Sequence, residues 1–334
     1  MMQLSPSFLG KIASLESQEA WRLIVDEVFS ICREPIALSE ASKVVTQRER
    51  QVGAIDTLLS STAWELWNSF PLLVESNSAS MVSWWRESLR AKAILILDGL
   101  SLREIPWLLQ GAQEHGFAVK NAGAKAAEIP AETCYFAKAL GFSSRASLTN
   151  NGAGASHFFP LAKTECVDMP WKDAAALVDS TPSWIFWHEW PDSTLHQGSG
   201  LGQGLEGFSK ECAATLAGDD FWEFVARLAQ GRSLVISSDH GYAASGLFTD
   251  KDDEANAFLK TQLKSGRSVE GDGDIGPFIP PMMLRHENSH GIHRLALGRW
   301  KWKSQGGYPT LTHGGMSLFE VLVPWVELKE NRQS

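Results

Sequence analysis

Five short segments place acidic, imidazole or hydroxyl side chains at the end of an apolar run or in the loop that follows it. They are ILILDGL (94–100), IPAETCYF (129–136), EWPDSTLHQG (189–198), VISSDHGY (235–242) and TLTHGGMSL (310–318). Their chemistry-bearing residues are three carboxylates, three imidazoles and one hydroxyl, namely Asp98, Asp192, Asp239, His196, His240, His313 and Thr133. Carboxylates and imidazoles are common ligands of divalent metal ions. The set can therefore hold two divalent cations and a nucleophile against a phosphate.

Two of these motifs have informative spacing. Asp192 and His196 lie four residues apart, so on a helical turn both side chains share a face and can reach one cation. The alternative is a helix cap followed by an exposed histidine. Asp239 and His240 follow an apolar run and precede a glycine, which suits two side chains that reach neighbouring metals above a sharp turn. A purely structural turn is the alternative there.

The other three residues also have simple structural explanations. Asp98 could cap the helix that follows it, and Thr133 could cap the helix CYFAKAL. A hydroxyl at a helix N-terminus nevertheless also lies where a phosphate is held, so the two interpretations of Thr133 are compatible. His313 could be a loop imidazole bonded to the backbone.

The elements that must position these residues alternate between strand and helix. Short apolar runs predict strands at AKAILILDGL, FAVKNA, WIFWHEW and SLVISSDHG, with RLALGRWKW and SLFEVLVPWVEL as later strands. Between them, SLREIPWLLQGAQEHG and KECAATLAGDDFWEFVARLAQG predict two helices, the second ending at Gly231. Such alternation predicts an α/β fold whose mostly parallel sheet is covered on both faces, with ligands beyond the carboxyl ends of the strands.

Two regions carry no predicted metal ligand. Residues 1–82 have helical periodicity, and we interpret them as a cap or docking segment that precedes a catalytic domain at 83–334. Residues 250–292 are rich in Asp, Gly and Pro and predict a long loop near the site.

Composition narrows the functional class. The net charge of −9 comes with no basic face, which argues against non-specific duplex binding by the chain alone. No run approaches the length of a membrane span, and the N-terminus lacks the pattern of a secretory signal. The four cysteines lie far apart and indicate neither a disulfide framework nor a thiolate zinc site. A cytoplasmic protein with no membrane partner is expected.

The order of the motifs resembles a known superfamily. DGL, then ET at a helix start, PDSTLH, SDHG and finally THGG are similar to the alkaline phosphatase superfamily, in its nucleotide pyrophosphatase and phosphodiesterase-like branch. Within that branch, DGLSLRE, SSDHGY and HGGMSLFEVLVPWVEL resemble a PglZ domain. The resemblance covers about residues 90–328. It implies a three-layer, doubly wound sheet of the alkaline phosphatase type, preceded by the helical segment.

The resemblance also implies roles for the seven residues. Asp192, His196 and His313 would bind one ion, and Asp98, Asp239 and His240 the other, with Zn²⁺ preferred and Mn²⁺ an alternative. Thr133 would act as nucleophile, forming a phospho-threonine that water then hydrolyses.

Two segments differ from the family pattern, and three further residues lie at its margin. IPAET lacks the second Thr or Ser that relatives often carry before the nucleophile, and CYFAK replaces a phosphate-contacting Arg or Asn. Lys138 and His290 are candidate substrate contacts, although a solvated histidine is the simpler interpretation of RHENSHGIHR. His188, beside Glu189, is expected to be buried and hydrogen-bonded, with a supporting role behind the ligands.

The predicted function is a metal-dependent phosphohydrolase acting on a phosphodiester or phosphomonoester. PglZ proteins belong to bacterial BREX phage-defence systems, so the resemblance implies defence-system protein partners and a nucleotide or nucleic acid as a candidate substrate. Two alternatives remain open. One is a phosphomutase or phosphotransferase on the same site, and the other is a non-catalytic scaffold that docks partners through residues 1–82.

Overall fold

A computed structural model of the chain describes residues 4–62, 64–88, 90–198, 204–245, 247–248, 254, 257, 267–272, 283–301 and 311–330. The helices are α1 (Pro6–Ser14), α2 (Ser17–Arg33), α3 (Ala41–Thr62), α4 (Trp64–Leu73), α5 (Asn77–Arg86), α6 (Ile105–Glu114), α7 (Thr133–Ala139), α8 (Trp171–Leu177), α9 (Asp192–Gly198), α10 (Gly204–Leu216), α11 (Asp219–Ala229) and α12 (Leu318–Val321). The strands are β1 (Lys92–Leu97), β2 (Phe117–Ala126), β3 (Lys163–Val167), β4 (Ser183–His188), β5 (Ser233–Ser237), β6 (Ala243–Ala244), β7 (Leu247–Phe248), β8 (Ser268–Glu270), β9 (Met283–Asn288), β10 (Gly291–Ala296), β11 (Trp300–Lys301), β12 (Leu311–Thr312) and β13 (Leu322–Glu330).

A six-stranded sheet with the order β2-β13-β5-β1-β4-β3 forms the centre of the molecule. The neighbours β5, β1, β4 and β3 pair in parallel, whereas β13 is antiparallel to both β5 and β2. The predicted α/β fold with a mostly parallel sheet is therefore confirmed, with one reversed strand inserted near its edge.

Both faces of this sheet are buried, as the continuous apolar run of β1 requires. Alternate residues of β1 enter different hydrophobic clusters: Ala93 and Leu95 pack on one face, and Ile94 and Ile96 on the other. Helices cover each face, which gives three layers. No helix in the described ranges is both long and apolar enough to cross a membrane.

The parallel register determines where the polar motifs emerge. Leu97, the last residue of β1, pairs with His188 at the end of β4, and Ile96 pairs with Ser237 at the end of β5. Residues that follow these three strands therefore leave the sheet at one edge. Asp98, Glu189 and Asp239 all follow them within two residues.

The N-terminal helices share a core with this sheet. Buried residues of α2 to α4 belong to the same hydrophobic cluster as one face of the sheet. Arg103, which follows β1, donates to buried Glu49 of α3 at 2.6 Å. The predicted boundary at residue 82 lies within α5, and the assignment of residues 1–82 as a cap or docking segment stays a prediction.

Several predicted elements differ from the structure. Residues 267–272 and 283–301 contain β8, β9 and β10, which form a three-stranded antiparallel sheet, so the long loop predicted for residues 250–292 was wrong there. The remaining residues of that range lie outside the described part, apart from residues 254 and 257. β9 alternates exposed Arg285 and Glu287 with buried or half-buried residues, and this polar alternation resembled a loop.

Other predicted boundaries also moved. The single helix expected to close at Gly231 is two helices, α10 and α11, because Gly218 interrupts it. SLFEVLVPWVEL begins as α12 before it becomes β13, and β3 was not predicted.

Asp56 of α3 contacts the segment that leads into β13, and a substitution there tests this connection. Its buried carboxylate accepts a hydrogen bond from the Leu318 N–H at 2.9 Å, and burial raises its pKa from 3.8 to about 7. Between about pH 4 and pH 7, Asp56 therefore holds a proton in the folded protein that the unfolded chain has already released. The wild-type free energy of unfolding should fall, relative to Asp56→Asn, by up to ~1.4 kcal/mol per pH unit as the pH rises through this window. Chelator-treated samples unfolded in urea at several pH values provide the measurement. A constant difference between the two proteins would contradict this role.

Candidate metal centre

Six of the seven predicted site residues form two groups of potential ligands. The inner cluster is Asp98, Asp239 and His240, all buried, and the outer cluster is Asp192, His196 and His313, of which His196 is exposed. Within each cluster the candidate ligand atoms lie within 4.8 Å of one another. The two triplets match the division that the sequence resemblance implied.

A tight turn after β1 brings the clusters together. Gly99 has φ +73°, and a Cβ added there would lie 3.0 Å from the Asp192 Cβ. The Asp192 N–H donates to the Asp98 carbonyl at 3.0 Å, and the Gly99 N–H donates to Asp239 Oδ1 at 3.0 Å. Only glycine tolerates both this backbone conformation and the close approach.

Thr133 lies against the inner cluster. Its hydroxyl oxygen is 2.7 Å from Asp239 Oδ2, 3.2 Å from His240 Nε2 and 3.4 Å from Asp98 Oδ1. A hydroxyl has one proton, so the short contact to Asp239 is its donating bond. Glu132 is the N-cap residue and α7 begins with Thr133, which therefore does not cap the helix.

Asp98 does not cap a helix either. Ser101 and Glu104 form the capping box of the short 3₁₀ turn that follows β1. Instead, Asp98 Oδ2 accepts from the Trp187 indole N–H at 3.0 Å and from the Arg145 guanidinium. The structural alternative considered for Asp98 was wrong, because its side chain turns inward across the sheet edge.

Backbone carbonyls orient two of the imidazoles. His240 Nδ1 lies 2.9 Å from the Gly241 carbonyl, and His313 Nδ1 lies 3.2 Å from the Ala131 carbonyl. A carbonyl can only accept, so each Nδ1 donates and the neutral ring keeps its lone pair on Nε2. The two rings stack with centroids 4.0 Å apart, which places the clusters side by side.

The outer cluster converges through Nε2 atoms and one carboxylate. His196 Nε2 is 3.2 Å from Asp192 Oδ2 and 3.4 Å from His313 Nε2, and His313 Nε2 is 3.7 Å from Asp192 Oδ1. Asp192 and His196 are one helical turn apart on α9, as their spacing predicts. Asp192 Oδ1 is buried and has no hydrogen-bond partner in the described structure.

Buried carboxylates dominate the electrostatics of the site. Burial, together with the nearby Asp239 and Asp192, raises the pKa of Asp98 to about 7, although His240 and Arg145 oppose the rise. Burial also raises the pKa of Asp239. For Asp192, the His196 hydrogen bond and neighbouring imidazoles outweigh burial and hold the pKa below its usual range.

These observations fit a site for divalent cations. Three buried carboxylates repel one another in a low dielectric, and a cation relieves that repulsion. The unpartnered Asp192 Oδ1 and the inward lone pairs of His240 and His313 are suitable donors. The inner cluster offers two carboxylates and one imidazole, and the outer cluster offers one carboxylate and two imidazoles. Zn²⁺ and Mn²⁺ accept both donor sets.

The two candidate substrate contacts, Lys138 and His290, both lie near the Tyr135 ring. Lys138 is five residues after Thr133 and is thus rotated by about 140° around α7. Its Nζ is 5.6 Å from the centre of the Tyr135 ring, and the His290 ring is 5.0 Å from the same ring. Their contact with a substrate stays a prediction.

Arg145 and Trp187 are site residues that sequence reasoning missed. Arg145 bridges Asp98 and Glu189, the latter at 2.9 Å, from a 3₁₀ segment with no distinguishing motif. Trp187 lies within an apolar strand and looked like core. His188 is buried and hydrogen-bonded to the Met169 carbonyl at 2.9 Å, as predicted.

Comparison with solved structures finds mouse ectonucleotide pyrophosphatase/phosphodiesterase 5, with a TM-score of 0.48 and 11% sequence identity. The match covers 72% of this chain and 88% of that chain. An inactive variant of the same mouse protein in complex with AMP matches with a TM-score of 0.46, 12% identity and the same coverage of 72% and 88%.

No family model and no curated protein matches the chain. The resemblance to PglZ domains therefore stays a prediction.

Gly99→Ala tests the turn that joins the clusters. Gly116 is a matched control, since its φ is +79° and an added Cβ would meet nothing within 4 Å. Both alanine variants should lose about 1–2 kcal/mol of unfolding free energy for the left-handed backbone. Gly99→Ala should lose a further ~1–3 kcal/mol because its Cβ meets Asp192. Urea unfolding of both variants gives the comparison, and equal losses would show that the Asp192 contact is unimportant.

Proposed function

We propose that this protein is a metal-dependent phosphohydrolase, phosphodiesterase-like in its chemistry, with Thr133 as the nucleophile. The observation that carries the proposal is the position of the Thr133 hydroxyl, which lies 2.7 Å from Asp239 Oδ2 and within 3.4 Å of the other two residues of the inner cluster. Hydroxyl nucleophiles need a base or a cation nearby, because a free threonine is a weak nucleophile near neutral pH.

The inner and outer clusters would each hold one divalent ion, Zn²⁺ in preference to Mn²⁺. When bound, such ions supply Lewis acidity and neutralise the charge that develops on phosphate oxygens. His240 and His313 present their Nε2 atoms toward the clusters because backbone carbonyls hold the opposite nitrogens. The protein thus orients these ligands through its own backbone.

The protein residues also account for the movement of the reacting proton. Thr133 donates its hydroxyl proton toward Asp239 as its oxygen attacks phosphorus. The bond from phosphorus to the leaving oxygen breaks and a phospho-threonine forms, while the leaving oxygen departs with the bonding electron pair and takes a proton from solvent. Water then hydrolyses this ester and restores the hydroxyl.

Arg145 would act through Asp98 as a positioning residue. Burial opposes its charge, but Asp98 and Glu189 outweigh burial and raise the Arg145 pKa, so the guanidinium remains charged. Its contact holds one oxygen of Asp98 while the other faces Thr133. A fixed, ionised Asp98 is the form that can bind a cation.

The biological setting is supported by the sequence resemblance to PglZ domains. On that basis we propose a cytoplasmic role in phage defence, together with other proteins of such a system, and a nucleotide or nucleic acid phosphodiester as substrate. The acidic net charge of −9 favours substrate capture at the bound ions over capture by a basic surface.

Thr133→Ala should abolish hydrolysis of bis-p-nitrophenyl phosphate, with a loss on the order of 10³-fold or more. Thr133→Ser keeps the hydroxyl and should retain part of the activity. Metal content by elemental analysis should be unchanged in both, because the proposed ligands remain. Turnover by Thr133→Ala equal to that of the wild type would remove Thr133 from the mechanism.

The same assay separates hydrolysis from phosphoryl transfer. Free phosphate or monoester should accumulate in step with nitrophenol when an alcohol acceptor is added. Quantitative transfer to the alcohol would favour a phosphotransferase on the same site.

Arg145→Gln tests the positioning role by metal binding. Loss of the guanidinium should raise the pKa of Asp98 further, since Arg145 opposes the rise caused by burial. Metal binding needs the ionised carboxylate, so the pH of half-saturation with Zn²⁺ should move upward. Equilibrium dialysis against Zn²⁺ over a range of about pH 5–8, centred near neutrality, measures the shift in the pH of half-saturation. Lys138→Gln is the control. An unmoved midpoint would exclude this role for Arg145.

A further inference from the structure

A second group of imidazoles lies on the three-stranded sheet beside α7. His293 of β10 pairs directly with Glu270 of β8 on one side and with His286 of β9 on the other. Directly opposed residues of an antiparallel sheet project from the same face with Cβ atoms about 4.5–5.5 Å apart. Glu270, His293 and His286 therefore form one row across the three strands.

Two nitrogens of this row are unsatisfied. The Nε2 atoms of His286 and His293 are buried, and neither has a hydrogen-bond partner in the part of the chain that the structure describes. His293 itself is only 1% exposed. Buried polar atoms are normally paired, so orphan nitrogens on two directly paired residues indicate a ligand position.

The rings are in the form that binds cations. Burial lowers the pKa of both histidines, which leaves them neutral near pH 7. The His293 ring also bonds the backbone of His290. Because Nε2 has no partner, that bond falls on Nδ1, and the lone pair is on Nε2.

We propose that Glu270, His286 and His293 form a third cation site, suited to Zn²⁺ and separate from the inner and outer clusters. Those two clusters alone, among the described residues, hold three donor atoms within 4.8 Å of one another. Binding at the row therefore requires the exposed Glu270 side chain to rotate toward the two imidazoles. Two nitrogens and one carboxylate, completed by water, satisfy tetrahedral Zn²⁺.

The position of the row suggests what the ion would do. The His293 ring lies 5.3 Å from the ring of Tyr135, which is two residues after Thr133. In addition, the Ser268 hydroxyl donates to the Glu132 carboxylate at 2.6 Å. An ion on the row would cross-link β8, β9 and β10, the strands that pack against the start of α7. The site would thus stabilise the wall beside the nucleophile without touching the reacting atoms.

Zinc stoichiometry of the full-length chain tests the proposal. Protein stripped with a chelator and dialysed against Zn²⁺ should bind one equivalent fewer in His293→Ala and in His286→Ala than in the wild type. His157→Ala is the matched control, because His157 also has a buried Nε2 without a partner, but its neighbouring rings are Phe142 and Phe159. It should lose no zinc.

The test is independent of the paired clusters. Asp239→Asn should lower the zinc bound per chain but keep the one equivalent that is lost in His293→Ala. Failure of the proposed function and failure of this third site therefore change the zinc content of different variants. Glu270→Gln, at an exposed position, should weaken the affinity for the zinc ion at this third site at least tenfold. It replaces the two histidine variants in the test if these do not fold. Wild-type zinc content equal to that of folded His293→Ala, or unweakened binding in Glu270→Gln, would overturn the proposal.

Discussion

Mutual repulsion among buried carboxylates is the constraint on which the rest of the site depends. Asp98, Asp192 and Asp239 meet at one edge of the sheet, where burial and neighbouring charge raise the pKa of Asp98 to about 7. A fold tolerates such a group only if donors or cations surround it. The Gly99 N–H, the Trp187 indole and the Arg145 guanidinium supply part of this compensation. The remaining charge favours bound cations.

Close backbone packing holds the edge in place. A Cβ on Gly241 would lie 2.1 Å from the Phe319 carbonyl, so the turn after β5 packs directly against α12. The Arg103–Glu49 ion pair joins the segment after β1 to α3, within a core shared with the N-terminal helices. The segments that carry the site are therefore packed against α12 on one side and α3 on the other, which limits the conformational freedom of Asp98 and Asp239.

Helix α7, which begins with Thr133, is held from outside the main sheet. Asn288 donates to the Ile129 carbonyl, and Ser268 donates to Glu132, so the three-stranded sheet contacts the segment on both sides of Pro130 and Ala131. Thr133 follows immediately. The segment that leads to Thr133 is thus held by two strands far along the chain, β8 and β9, and the proposed third cation site would reinforce that support.

The local patterns of the chain predicted the strands β1, β4 and β5, the helical N-terminal region and the seven candidate site residues, and the family resemblance divided six of these residues into two triplets. Apolar runs and one-turn spacing are short-range properties that a sequence displays directly. Long-range packing decided the rest. Arg145 reaches Asp98 across 47 positions, and the polar alternation of β9 forms a strand only beside β10. Neither contact leaves a local signature, because both depend on partners that only the folded chain brings near.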